Sequence, residues 1–295
     1  MKQKDLLERI QLTSNSLSKS HRRIADYIAS HYDKAAFMTA AKLADMVGVS
    51  ESTVVRFAVE LGYEGYPKLQ KALQEMISNK LTSVQRMELT TRKMGEKDLL
   101  KTVLQSDIDK LRQTLDTVDE DVFAGAVETI LQAEKIYILG ARSCYSLANF
   151  LSFYLNLIFP DVKMISTSSA SETFEQIYRV SEKDVVIGIS FPRYSKRTIS
   201  ALRYAFDKKS KIIAITDSPG SPVAEHATYT LSARIDMFTF VDSLVAPLSI
   251  INALIAALVM RKKADVGKTF EELERIWDAY QVYETHTGKE EQGWN

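Results

Sequence analysis

Three short stretches place hydroxyl groups where an anion could be held: "GARSCYS" from residue 140, "ISFPRYSKRT" from 189 and "ITDSPGSPVAEH" from 215. Each follows an apolar run. Ser143 stands where a helix begins, Ser190 and Ser195 bracket Arg193, and Asp217 and Ser218 open the third stretch. Hydroxyls combined with the unpaired N–H groups of a helix start are the donors that hold a phosphate. Arg193 adds a planar cationic fork suited to phosphate or carboxylate. For any single serine an ordinary helix N-cap is the simpler role; convergence of several favours an anion site. Pro192 and Arg193 stand where a phosphate turn would usually carry glycine, which reduces close backbone approach to the anion.

These stretches need a scaffold, and the sequence around them alternates. "KIYILG" (135–140), "VKMIST" (162–167), "DVVIGIS" (184–190), "KIIAITDS" (211–218) and "ATYTLSA" (227–233) are short β-rich runs. Most are separated by helical patterns such as "CYSLANFLSFYLNLI" and "KRTISALRYAFDKK". Five such strands predict a parallel sheet with helices on both faces. In that arrangement ligands collect beyond the carboxyl ends of the strands, where the three serine-bearing stretches fall.

Residues 1–78 read differently, with helical periodicity and no strand. In "AAKLADMVGVSESTVVRFAVELG" a short helix stops at Gly48, Ser50 offers an N-cap, and a second helix begins near Thr53. Val54, Val55, Ala58 and Leu61 are expected to face inward, leaving Glu51, Ser52, Thr53 and Arg56 outward near the helix start. That is where a helix-turn-helix meets base edges and phosphates; Arg56 could pair with a guanine, and Ser52 and Thr53 could reach bases or phosphates. Residues 1–80 hold 12 Lys and Arg against 9 Asp and Glu, a net +3 that permits DNA binding without requiring it. A helical subunit-packing domain is the other reading.

The 295 residues, 45% hydrophobic and 26% charged, describe a soluble globular protein long enough for two domains. The expected division is a helix-turn-helix domain at 1–78, a polar linker at 79–105, and an α/β domain at 106–285 with its core at about 125–265. Lys plus Arg and Asp plus Glu are each 38, so overall charge selects no partner. The single Cys144 excludes an intrachain disulfide and fits a reducing, cytoplasmic setting. His21, His31, His226 and His286 lack metal-ligand spacing, so no metal or cofactor is expected. "LVAPLSIINALIAALVM" (244–260) is apolar enough to raise a membrane span, but Pro247 and Asn252 interrupt it, and a helix buried on all sides is the preferred reading.

Residues 17–73, through "RRIADYI", "FMTAAKLA", "GVSESTVVRF" and "LGYEGY", resemble the N-terminal domain of RpiR-family transcriptional regulators. The resemblance implies that Ser50, Ser52, Thr53, Arg56 and Phe57 lie in or beside the DNA-reading head, with Tyr66 and Lys68 near the DNA backbone; Phe57 suits the core equally well. Residues 125–265 resemble the sugar isomerase (SIS) domain that binds phosphosugars in the same family. By position it implies Ser143, Ser190 and Ser195 as phosphate ligands. "ASETFEQ" resembles a motif of SIS-type aminosugar isomerases that places Glu172 at their proton-transferring carboxylate. A contact to sugar hydroxyls ranks first for Glu172, a favourable charge at a helix start second and catalysis third. The resemblance thus implies a non-enzymatic, dimeric or tetrameric regulator that reads a palindromic operator and senses a phosphorylated sugar. The alternative is a phosphosugar isomerase with a helical appendage.

Overall fold

The computed structural model describes residues 17–78, 98–235 and 241–283, together with Ile10, Val84 and Met87. In the N-terminal module, α1 (Lys19–Ser30) starts at Ser18, whose hydroxyl accepts the His21 N–H at 3.2 Å. A short α2 (Tyr32–Ala35) leads to α3 (Ala40–Val47), capped by Thr39. This helix ends where Gly48 adopts φ 67°, turning the chain into α4 (Glu51–Glu60). A Cβ at Gly48 would meet only the flexible end of the Arg23 side chain, at 2.9 Å, so it is the positive φ that calls for glycine. After α5 (Tyr66–Ser78), the fully buried side chains Ile24, Ile28, Leu43, Val54, Phe57, Leu69 and Leu73 draw α1, α3, α4 and α5 around one core.

The second region begins with α6 (Leu99–Leu115), whose first turns occupy the end of the stretch expected as linker. Leu99, Leu100, Val103 and Leu104 recur at helical spacing there, among polar residues that made the segment read as a connector. The elements then alternate: α7 (Glu120–Gln132), β1 (Ile136–Gly140), α8 (Ser143–Ile158), β2 (Val162–Met164), α9 (Ala170–Ile177), β3 (Val185–Ile189), α10 (Lys196–Asp207), β4 (Lys211–Thr216) and β5 (Tyr229–Ser232). Two helices close the region, α11 (Val245–Arg261) and α12 (Lys263–Tyr280).

All five strands pair in parallel, in the order β2-β1-β3-β4-β5. Side chains alternate across the sheet. Ile136, Ile138, Val185, Ile187, Ile213 and Ile215 pack on one face with α7, α8 and α11. Tyr137, Leu139, Val186, Ile212 and Ala214 pack on the other with α9 and α10.

Helix α11 corrects the expectation of burial on all sides. Ala246, Ile250, Ile251, Leu254, Ile255 and Leu258 are buried, whereas Ser249, Asn252, Ala253 and Ala256 are exposed. Among the described residues no single helix is long and apolar enough to cross a membrane, and α11 meets α12 at 96°.

Candidate functional site

The strand order decides where the serine-bearing stretches meet. The chain leaves β1 toward β2 at one edge and then returns past β1 to β3, so the sheet reverses direction between β1 and β3. A crevice opens beyond the strand ends at such a reversal. Gly140 is in register with Ile189, and Ile189 with Ile215, so the loops after β1, β3 and β4 leave the sheet at one level.

Ser190 is 3% exposed, its N–H donates to the Ile215 carbonyl at 3.2 Å, and its hydroxyl oxygen accepts the Ser195 N–H at 3.1 Å. Ser195 in turn caps α10 by accepting the Thr198 N–H at 3.3 Å. The two serines therefore form one unit that fixes the shape of the turn and the start of α10. Ser143 is the exposed first residue of α8. The preceding Arg142 has φ 58°, and Gly140 is needed because a Cβ there would lie 2.4 Å from the Cys144 carbonyl oxygen.

Arg193 adopts φ 64°. The turn has kept the left-handed backbone of a glycine while carrying a long cation, a conformation disfavoured for a residue with a Cβ. Its neighbour Tyr194 donates its hydroxyl to Asp217 Oδ1 at 2.9 Å, and the Thr216 hydroxyl donates to the same oxygen at 3.1 Å. Burial, and then the adjacent Asp217 carboxylate, push the Tyr194 phenol far above its ordinary range, so it stays protonated as a donor. Asp217 thus ties the turn after β3 to the end of β4. Ser218 is half-buried and its carbonyl accepts the Ser221 N–H at 3.1 Å; the buried Ser221 hydroxyl has no hydrogen-bond partner among the described residues.

Glu172 lies exposed in the first turn of α9, where Ser169 caps the helix and the Thr167 hydroxyl donates to the Glu172 carboxylate. The Arg197 guanidinium donates to the Thr167 carbonyl, which links this loop to the first turn of α10. Tyr194, Arg197 and Thr167 were not singled out in the sequence, although the two former lie within "ISFPRYSKRT"; their roles depend on partners 23 and 30 residues away. Cys144 is buried, which pushes its thiol up, with a smaller opposing contribution from a backbone hydrogen bond at Phe191. It is a protonated packing residue at the start of α8.

In the N-terminal module, Ser50 caps α4 through the Thr53 N–H at 3.2 Å, and its hydroxyl bonds those of Ser52 and Thr53 at 2.9 and 2.7 Å. Ser50, Ser52 and Arg56 are exposed and Thr53 is half-buried. Lys68 is exposed and pairs loosely with Glu64 at 3.8 Å. Two of the residues named for the DNA-facing side are buried: Phe57 takes the core position that suited it equally, and Tyr66, expected near the DNA backbone, faces inward. Phe57 is 0% exposed and sits in the core, because position 57 shares the inward stripe of Val54 and Ala58. Tyr66 is 3% exposed and donates its hydroxyl to the Met38 carbonyl at 2.7 Å, while burial pushes its phenol up to about 12. A correction runs the other way: Val55, expected inward, is 39% exposed.

A helix-turn-helix module joined to a parallel α/β domain, with serine-bearing loops leaving the sheet at one level beside the reversal of strand order, has the architecture of a phosphosugar-sensing transcriptional regulator. Residues 4–80 match the helix-turn-helix domain of the rpiR family and residues 129–257 match the SIS domain, and the chain belongs to the RpiR family of transcriptional regulators. It is 27% identical over 288 residues to the HTH-type transcriptional regulator HexR of Escherichia coli (strain K12), covering 93% of this chain and 94% of that protein. The sugar isomerase domain of an RpiR transcription factor from Sphaerobacter thermophilus superposes with a TM-score of 0.58 at 26% identity, covering 61% of this chain and 99% of that one. The Vibrio vulnificus NanR protein complexed with ManNAc-6P has the same fold, with a TM-score of 0.57 at 24% identity over 93% of this chain and 98% of that one.

Proposed function

We propose that the crevice between β1 and β3 binds the phosphate of a sugar phosphate through Ser143, the Ser190–Ser195 unit and Arg193, and that occupancy changes the DNA affinity of the N-terminal module. The exit of the loops after β1 and β3 at one level of the sheet, in a chain that also carries an RpiR-type helix-turn-helix, is the observation that carries this reading. Asp217 and Ser218 shape the rim from β4, and Glu172 accepts hydrogen bonds from sugar hydroxyls. On the DNA side Ser52 and Arg56 face base edges, Ser50 and Thr53 organise the helix start, and Lys68 lies toward the backbone.

The protein acts by binding, without turnover. The Glu172 carboxylate is already engaged by the Thr167 hydroxyl and lies exposed to solvent at the start of α9. We also propose a two-fold dimer reading a palindromic operator. Its support is the exposed apolar row Leu100, Leu104, Ile108 and Leu115 on α6. Beside that row is a cavity of about 490 Å³ lined by α6, the start of α7 and the exposed side of α11.

The test is a thermal-shift panel of hexose, aminosugar, pentose and polyol phosphates, including ManNAc-6P, on the full-length protein. A stabilising compound is then added to a DNA-binding titration with the regulator's own upstream region. Stabilisation together with altered DNA affinity supports the sensor; stabilisation with turnover that Glu172→Gln abolishes supports an isomerase instead. No stabilisation by any phosphosugar removes the sensing role.

A further inference from the structure

The core of the N-terminal module is complete without two of the apolar residues on α4. Val54, Phe57 and Ala58 face inward and are fully buried, whereas Val55 and Val59 are 39% and 57% exposed. The exposed valines lie one turn apart on the stripe that also carries Ser52 and Arg56. Neither helix propensity nor packing explains them. A β-branched residue loses rotamer freedom in a helix, and an exposed one gains little from the core.

The first turn of the helix has its hydroxyls turned to one another: Ser50 is bonded to both Ser52 and Thr53. The next side chain along the exposed stripe is Val55. When a helix of this kind enters the major groove, its N-terminal part contacts base edges. The apolar group displayed there is the thymine C5-methyl. Arg56 on the same stripe, with Lys42 and Lys68 exposed on α3 and α5, suits a phosphate-lined partner better than an apolar protein surface.

We propose that Val55 is a specificity-determining residue that packs against a thymine methyl of the operator, while Val59, one turn further from the helix start, lies outside the base-reading part. This rests on the DNA-binding reading above, and the experiment separates the two. The full-length protein selects duplexes from a random-sequence library. The selected duplex is then remade with deoxyuridine in place of each thymine in turn, which removes only the C5-methyl group.

At one thymine, or its symmetry mate, the replacement should weaken wild-type binding about fourfold, the worth of roughly one buried methyl-sized group. Val55→Ala should show less than a twofold difference between the two duplexes, Val55→Thr, which keeps a methyl, should restore the preference, and Val59→Ala should leave it unchanged. Circular dichroism melting confirms that each variant is folded. Salt-sensitive DNA binding with no uridine effect, or a full thymine preference retained by Val55→Ala, overturns the methyl contact and leaves DNA binding standing. Failure to select any duplex overturns both.

Discussion

Arg193 carries opposing consequences for stability and binding. Its φ of 64° belongs to glycine, so Arg193→Gly should relieve a left-handed strain of about 1–2 kcal/mol, offset in part by the greater freedom of glycine in the unfolded chain. A ligand-free melt should therefore show stability unchanged or raised by up to about 1 kcal/mol, while phosphosugar affinity falls or selectivity broadens. A variant with unchanged binding would mark the arginine as surface charge. Ser143 permits a cleaner test than Ser190. As an exposed first helical residue, Ser143→Ala should change stability by no more than about 0.5 kcal/mol and yet lose phosphosugar binding. Ser190→Ala would confound the two, because it also removes the acceptor of the Ser195 N–H in a partly buried turn, at about 1 kcal/mol. The hydroxyl types of these residues were legible in the sequence. That Ser190 serves Ser195 was not, since the bond depends on how the intervening turn folds.

At the scale of elements, the joint between α3 and α4 sets the geometry of the reading head. Gly48→Ala would place a Cβ at φ 67° and should cost about 1–2 kcal/mol in a denaturant titration of the N-terminal module. DNA affinity should fall with it. Gly48 and Ser50 announce this turn in the sequence because their requirements are local, a positive φ and a side-chain cap. The facing of α4 was less legible. Val54 and Val55 are chemically identical, and only the angle at which α4 meets α1 and α5 buries one and exposes the other. Phe57 and Tyr66 illustrate the same ambiguity, since an aromatic beside a recognition motif can serve the core or the groove. The five strands were read from their β-branched runs, each somewhat longer than the strand it contains; the two edge strands differ most, β2 ending at Met164 where the run went to 167 and β5 spanning Tyr229–Ser232 where the run covered 227–233.

At the scale of the whole molecule, sensing requires that the ligand bind one arrangement of the reading heads better than another. A phosphosugar at a hundredfold excess over its Kd should stabilise the C-terminal domain by about 2.7 kcal/mol, visible as a concentration-dependent shift in its melting transition. The exposed row on α6 gives a second prediction: Leu104→Glu, which leaves a residue 53% exposed in the described chain no less soluble, should convert a dimer to monomer in light scattering and weaken operator binding. What the sequence determined by itself was whatever rests on near neighbours: the switch from helical to alternating periodicity, the turn at Gly48, the caps at Ser50 and Ser195, and the motifs that carry the family resemblance. Tertiary structure alone decided the strand order that sets the loops after β1, β3 and β4 side by side. It also decided the ties from Tyr194 to Asp217 and from Arg197 to Thr167, and which face of α4 is left open. These depend on contacts between residues far apart in the chain, and neither composition nor periodicity specifies which distant partner a side chain will meet.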